Sequence, residues 1–323
     1  MQVSVYERAK EYGYINARLR AARPLFLSKE TLNTLCEVET VEGMVEVLAG
    51  TVYGPYIERF SAEHSGFMLV SKSVMHRFSE KIEQISRMVQ DEQKRKLLYV
   101  ATGRIEVYNL KVLFLEVMGK LRDGDYVEGG TFSGKRLELL RNVKDVELLK
   151  RIVANYGYMI DKGSVEYSEI AEDIEKSYYA MLEQLKKMCF DESEVRGYIE
   201  SIIDYKNFDL VIRKGKDARL LPGGKIDHKE ILRALRNGQE GLLKLFGLKE
   251  LYEQCNGSLS WLEEMYDREI LKNAIREGSI KPFSMIGVIG FIRRLDVERR
   301  NIRSIAVAKG VLTSEEIKKR IIW

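Results

Sequence analysis

Residues 129–136, GGTFSGKR, have the glycine and lysine spacing of a phosphate-binding loop and are the first candidate for chemistry in this sequence. Such a loop cradles phosphate groups with backbone amides, and a hydroxyl side chain after the lysine reaches a magnesium ion. Here Arg136 takes the place of that hydroxyl, and no apolar strand precedes the loop. Ser133 is better explained as the cap of a helix, so the sequence does not predict a nucleotide site.

The other residue types that could catalyse a reaction or hold a metal are scattered along the chain. Three histidines lack the spacing of metal ligands and have no recognisable nucleophile beside them: His64, His76 and His228. Three widely separated cysteines predict reduced, partly buried thiols: Cys36, Cys189 and Cys255. The carboxylates lie in charged helical segments, where they favour solubility. We therefore predict no catalytic residue, no cofactor and no metal site.

One polar residue recurs inside apolar helical segments. Asparagine stands at the same point of a repeat whose copies lie 93 to 98 residues apart: Asn16, Asn109, Asn207 and Asn301. An acid stands three residues earlier in the last three copies: Glu106, Asp204 and Glu298. Residues three apart share a helix face, and asparagine is a poor residue for a helix interior. We interpret the amides as hydrogen-bonding groups that fix helix packing, with a ligand contact as the alternative.

Similar segments follow each asparagine. A residue that caps helices precedes the next apolar run in all four copies: Ser28, Ser133, Asp227 and Thr313. A long helical segment leads into every asparagine helix except the first, so the two chain ends would complete one module. We predict three pseudo-repeated helical modules arranged as a pseudo-threefold funnel. They are residues 1–105, completed by the C-terminal helices, 106–203 and 204–323.

The composition favours helices over sheet. Of 323 residues, 45% are hydrophobic and 32% charged, and only four are proline. Such a chain can bury a large core and form long helices, which predicts an all-α fold. No apolar stretch reaches the roughly 18 residues of a membrane-spanning helix, and the amino terminus lacks the apolar core of a signal peptide. We therefore expect a cytoplasmic protein.

Positive charge is concentrated at the carboxyl end. The whole chain has a net charge of +4, whereas residues 290–323 contain nine basic and four acidic residues. Five arginines there form a candidate exposed surface for an anionic partner: Arg293, Arg294, Arg299, Arg300 and Arg303. A solvated helix face is the alternative interpretation.

Four segments, in their order along the chain, resemble a known family: YGYINARLRA, EVYNLKVLFLE, DYKNFDLVIRK followed by LLPGGKI, and DVERRNIRSIAVAKGVLTSEEI. The chain resembles the C subunit of archaeal A-type ATP synthases, which is related to the d subunit of V-type (vacuolar) ATPases. The resemblance covers essentially the whole chain.

This resemblance implies a non-catalytic central-stalk subunit, part of the rotor of a rotary ATPase. In that family an all-helical funnel sits on the cytoplasmic face of the membrane rotor ring of proteolipid subunits, and the central shaft, formed by the D and F subunits, plugs into it. Torque from proton or sodium transport passes through the funnel to the head that makes or hydrolyses ATP. The resemblance thus implies a peripheral membrane protein with no cofactor and no transmembrane segment of its own.

A helical-repeat scaffold for other protein partners is the alternative function, since it would differ from a stalk subunit only in what it binds. A nucleic-acid binder is less favoured. It needs a continuous basic stripe, and residues 1–289 carry a net charge of only −1.

Overall fold

The structure is a computed structural model that describes residues 5–22, 25–122, 124–127, 129–130, 132, 134–189 and 192–321. Helices make up most of these residues, and none of them lies in a β-strand. The described prolines leave the helices intact, because Pro55 lies in a first helical turn and Pro222 and Pro282 lie between helices. The prediction of an all-α fold is confirmed.

The helices repeat one order three times: a long helix, a set of short helices and a second long helix. The first group is α1 (Val5–Ala21), α2 (Lys29–Glu37), α3 (Val41–Ala49), α4 (Gly54–Phe60) and α5 (Gly66–Met88). A short α6 (Glu92–Lys96) leads to the second group: α7 (Tyr99–Val117), α8 (Gly134–Arg141), α9 (Val146–Ala154) and α10 (Tyr167–Met188). The third group is α11 (Ser193–Lys214), α12 (His228–Leu235), α13 (Gly238–Leu245), α14 (Lys249–Gln254) and α15 (Leu259–Ile280). A long α16 (Ile286–Ala308) and a short α17 (Ser314–Arg320) follow.

Polar caps start several short helices where the sequence predicts them. The side chains of Ser28 and Asp227 accept hydrogen bonds from backbone amides in the first turns of α2 and α12, at 3.1 and 2.7 Å. Thr313 forms a capping box with Glu316 at the start of α17. These three predicted caps are confirmed, whereas Ser133 lies outside the described residues.

Buried apolar side chains of the described residues form one large core, two smaller ones and a minor contact between Leu271 and Val297. The large core joins α1 and α5 to α7–α11 and to parts of α15 and α16. One smaller core lies among α11–α15. The other joins α2–α5 to the end of α16 and to α17, where Ile302 and Ile317 pack in the same cluster as Leu35 and Leu48. The C-terminal helices therefore complete a core that the N-terminal helices begin.

The module boundaries expected at 105/106 and 203/204 fall inside α7 and α11, which are continuous helices. They mark positions within a repeat and do not coincide with breaks between helices. The division into three modules, and their arrangement as a funnel, stay predictions.

Helix α16 occupies the centre of the packing. It contacts α1, α2, α5, α7 and α15, and 15 of its 23 residues are buried. It crosses α15 at close range because both helices carry glycine there. A Cβ atom on Gly278 of α15 would lie 2.5 Å from the Cα atom of Gly287 of α16. Helix α16 therefore brings distant parts of the chain to one place.

Candidate protein-interaction site

Two of the recurrent asparagines make the same pair of hydrogen bonds. Asn109 Oδ1 accepts from the backbone N of Val127 at 2.9 Å, and Asn109 Nδ2 donates to the Val127 carbonyl at 2.7 Å. Asn207 does the same with the backbone N and carbonyl of Leu221, at 2.7 and 2.9 Å. Both asparagines are fully buried. Each amide thus holds the segment that follows its helix, and this satisfies buried backbone groups outside any helix.

Asn16 makes a contact of a different kind. Its Nδ2 donates to the carbonyls of Pro282 and Ser284, at 2.8 and 3.1 Å, just before α16 begins. This amide therefore ties the first described helix to a segment more than 260 residues away. Asn301 is buried on α16.

Two of the three acids that precede the asparagines bind backbone amides next to helix caps. Asp204 accepts from the backbone N of Lys225 and Ile226, directly before the cap of α12. Glu298 accepts from the backbone N of Leu27 at 2.7 Å, directly before the cap of α2. A carboxylate on α16 thus binds the backbone before the first short helix of the first group, and a carboxylate on α11 does the same in the third group. Glu106, the third acid, is buried and accepts from Tyr158 Oη at 3.4 Å.

Glu298 is also the centre of a buried charge network. Arg77 of α5 donates from Nη1 to Glu298 Oε1 at 2.9 Å, and Tyr53 Oη donates to the same oxygen at 2.7 Å. Arg77 Nη2 donates to the carbonyl of Leu25 at 2.8 Å. Burial, reinforced by the Glu298 carboxylate, raises the pKa of Tyr53 well above its usual range, which keeps the hydroxyl as a donor. The network joins the two ends of the chain.

A second group of buried charges lies where α7, α15 and α16 meet, and we call it the arginine cluster. It consists of Arg104, Asp267, Arg293, Asp296, Arg299 and Arg300. Arg104 Nη1 donates to both oxygens of Asp267, at 2.9 and 3.1 Å. Arg299 donates from Nε and Nη2 to Asp296 Oδ1, at 3.1 and 2.5 Å. Arg293 lies 3.4 Å from each of the two carboxylates and so connects them.

The pKa values in the arginine cluster show which charges are well compensated. Burial by itself would raise the pKa of Asp296, but three neighbouring arginines outweigh it and hold that pKa well below its usual range. The pKa of Asp267 is lowered for the same reason. The pKa of Arg300 is also lowered, because burial and the neighbouring arginines outweigh the attraction of the carboxylates. Arg300 is therefore an incompletely compensated cation.

The expectation that all five C-terminal arginines are exposed is wrong for two of them. Arg293 and Arg299 are only 5% and 6% exposed. They share the buried face of α16 with Asp296, three residues from each, and ion pairs there satisfy their charge. Arg294 stacks over the ring of Phe26 at 4.2 Å. The two remaining arginines are half-buried: Arg300 in the arginine cluster and Arg303 in an ion pair with Asp125.

The comparison with known protein families covers nearly the whole chain. The family model described as "ATP synthase (C/AC39) subunit" matches residues 15–320. The chain belongs to this family. The family is that of the ATP synthase C/AC39 protein, a non-catalytic stalk subunit of the complex, so the resemblance noted in the sequence is confirmed.

Relatives of this C/AC39 subunit match it nearly from end to end. The C subunit of the A-type ATP synthase of Methanocaldococcus jannaschii is 26% identical, over 96% of this chain and 86% of the relative. The C subunit of the A-type ATP synthase of Haloquadratum walsbyi is 21% identical, over 96% and 97%. The C subunit of the V-type sodium ATPase of Enterococcus hirae is also 21% identical, over 96% and 98%. The chain is therefore part of an A/V-type rotary ATPase.

The loop that resembles a phosphate-binding loop has another role in this C/AC39 subunit. Gly130 has a φ of +71°, and a Cβ atom there would lie 2.5 Å from Glu106 Oε1. The loop therefore packs its backbone against a buried carboxylate, which would repel a phosphate group. Thr131 and Ser133 of the loop lie outside the described residues.

The three cysteines lie away from solvent. Cys36, Cys189 and Cys255 are all buried free thiols, and burial raises the pKa of Cys36 to about 11. Over the described ranges, no group of three or more His, Cys, Asp or Glu side chains is placed to hold a metal ion. Within the same ranges, none of the helices combines the length and apolarity that crossing a membrane requires.

Sequence reasoning missed Asp296 on α16 and three charged residues on other helices. Arg77, Arg104 and Asp267 stand on α5, α7 and α15, far in sequence from their partners on α16. The only signal for them is a charged residue on an otherwise apolar helix face, which does not name the partner.

Proposed function

We propose that this protein is the socket of the central stalk, which couples the proteolipid rotor ring in the membrane to the central shaft formed by the D and F subunits. In this role it transmits torque between proton or sodium transport and ATP synthesis or hydrolysis. It acts on the cytoplasmic side of the membrane as a peripheral protein, with its three modules around the shaft.

One observation carries this proposal. The family model covers residues 15–320, and relatives named as the C subunits of A-type and V-type enzymes match 96% of the chain. A match of this extent leaves little of the chain for an additional domain with a different activity. This extent of similarity supports assigning to the chain the role of a whole C subunit.

The contacts of the described residues support a part that transmits torque. Such a part must resist twisting, and densely packed interiors have low compressibility. The Glu298 network joins α5 and the loop before α2 to α16, while Asn16 joins α1 to the start of α16. The arginine cluster joins α7, α15 and α16. Buried polar contacts between sequence-distant helices make relative sliding costly, because each sliding step would leave charges unpaired.

A pull-down from membranes tests the assembly. The tagged chain is purified from detergent-solubilised membranes of its source, and co-purifying proteins are identified by mass spectrometry. The untagged strain serves as the control. We expect the proteolipid ring and the D and F shaft subunits to be recovered together. Recovery of neither, with the ATPase intact in the same membranes, would refute the socket and favour a scaffold for other partners.

A further inference from the structure

The arginine cluster contains more positive than negative charge. Its four guanidinium groups share two carboxylates, and among the described residues no third carboxylate lies within 4 Å of them. Two positive charges are therefore in excess. A charge removed from water needs a counter-charge at short range, since the surrounding protein screens it weakly. The cluster is thus incomplete with respect to negative charge.

The excess is located at Arg300. Its Nε lies 3.3 Å from Asp296 Oδ2 and its Nη2 lies 3.7 Å from Asp267 Oδ2. Both nitrogens are inaccessible to solvent, and neither is aligned for a hydrogen bond to any described residue. The shorter contacts with the same two carboxylates are made by other arginines: Arg299 binds Asp296, and Arg104 binds Asp267. Within the described part of the chain, the charge of Arg300 is therefore only partly offset.

Two of the four arginines in the cluster are partly exposed, Arg104 on α7 and Arg300 on α16. The side chains of Arg104 and Arg300 are 34% and 35% exposed, whereas those of Arg293 and Arg299 are 7% and 8% exposed. Tyr108 stands one turn after Arg104 on α7 and is 43% exposed. Arg104 and Arg300 both contact the Asp267 carboxylate, so their guanidinium groups lie close together, and we call this partly exposed pair the mouth.

We propose that the mouth formed by Arg104 and Arg300 receives a carboxylate side chain of the protein shaft that enters the socket. A guanidinium group makes strong charge-assisted hydrogen bonds to a carboxylate, and the partly exposed ends of Arg104 and Arg300 can each supply one. An incoming acid would offset the positive excess at Arg300. This inference rests on the proposed function, because that function supplies the partner.

A protein carboxylate fits the surroundings better than a polyanion. Nucleic acid or an anionic bilayer needs a broad basic surface. The nearest lysines along α7 and α11 have carboxylate partners of their own: Lys111 pairs with Glu175, and Lys206 pairs with Glu175 and Asp209. A compact group of arginines beside such paired lysines suits an acidic side chain better than a polyanion.

Binding of the purified D–F shaft tests the inference. Affinity is measured by titration calorimetry at two salt concentrations, for the full chain and for Arg300→Met and Arg104→Gln. Arg87→Met is the matched control, because Arg87 is 73% exposed in a surface pair with Glu83. Thermal unfolding of every variant is recorded alongside.

We expect Arg300→Met to weaken shaft binding about tenfold or more, as for a lost charge-assisted contact. Its Tm stays unchanged or rises, because the substitution removes an uncompensated charge. Arg104→Gln also weakens binding, and Arg87→Met binds like the unaltered chain. The affinity of the unaltered chain falls more steeply with salt than that of Arg300→Met.

Three results would overturn the inference. Unchanged shaft binding in both cluster variants would reject the carboxylate contact while leaving the socket in place. A Tm loss of several degrees in Arg300→Met would show that Arg300 is structural. If the unaltered chain does not bind the shaft at all, the proposed function fails and the inference fails with it. In a further arm, binding to vesicles that contain anionic phospholipid is measured for the same variants. Loss of vesicle binding in Arg300→Met and Arg104→Gln, with shaft binding intact, would assign the mouth to a lipid headgroup.

Discussion

Removal of Arg77 should weaken the buried contact between α5 and α16 and so lower the stability of the fold. Arg77 and Glu298 have side chains only 5% and 6% exposed and are joined at 2.9 Å. Arg77→Met keeps a long side chain but leaves the Glu298 carboxylate without its counter-charge. Breaking a buried pair from one side typically costs about 3–5 kcal/mol. We therefore expect the free energy of unfolding in urea to fall by about that amount.

The double variant separates the charge effect from packing. In Arg77→Met with Glu298→Gln, the amide oxygen can still accept from Leu27 N, and no buried charge remains unpaired. We expect this variant to recover about 2 kcal/mol of the loss, which is the coupling between the two residues. Arg87→Met, in an exposed pair, should change the free energy by less than about 0.5 kcal/mol.

Hydrogen exchange locates the effect. The backbone N–H of Leu27 donates to Glu298, so Arg77→Met should lower the protection of this amide more than that of amides in α12. Equal losses in the single and double variants, or unchanged protection at Leu27, would refute the reasoning that the pair closes the chain.

Three further predictions follow from local geometry and pKa shifts. Gly287→Ala places a Cβ atom 2.5 Å from Asn16 Oδ1 and should lower the free energy of unfolding in urea by about 1–3 kcal/mol. Gly197→Ala is the control, because open space surrounds Gly197, and it should not lower that free energy. Equal effects of the two substitutions would contradict this prediction. The pKa of Asp296 is lower in the folded state than its ordinary value of 3.8, so its stabilisation is complete above about pH 5 and is lost as the pH falls below 3.8. The loss should be smaller in Asp296→Asn when stability is measured from pH 6 to pH 3, and an identical profile would refute the assignment. Cys36, with a pKa of about 11, should resist a thiol reagent at pH 8 until the chain is unfolded, and rapid native labelling would contradict its burial.

Local features of the fold could be predicted from the sequence because their causes are local. Low proline content and helical patterning indicated the all-α fold, and short oxygen side chains marked the starts of α2, α12 and α17. The repeat of Asn109 and Asn207 was visible because both make the same contact with a segment 14 to 18 residues away. Periodicity in sequence here reflects periodicity in hydrogen bonding.

The candidate site could not be predicted to the same extent. The run of basic residues at the carboxyl end predicts an exposed surface, but Arg293 and Arg299 are buried. Arg293 pairs with Asp267 across the close crossing of α15 and α16, and this contact arises from tertiary packing. Arg299 pairs with Asp296 on the buried face of α16. The charge composition of a segment does not determine which of its charges face water. Pairing with residues on distant helices determines which charges are buried.

The most direct test of the socket is a coupling measurement. Membrane vesicles are prepared from a strain that lacks this chain, and ATP-driven uptake of protons and of sodium is recorded with and without the purified chain, together with ATP hydrolysis. We predict that hydrolysis proceeds without the chain, and that ion uptake appears only when the chain is added. Ion uptake of equal size without the chain would contradict the claim that torque passes through this protein.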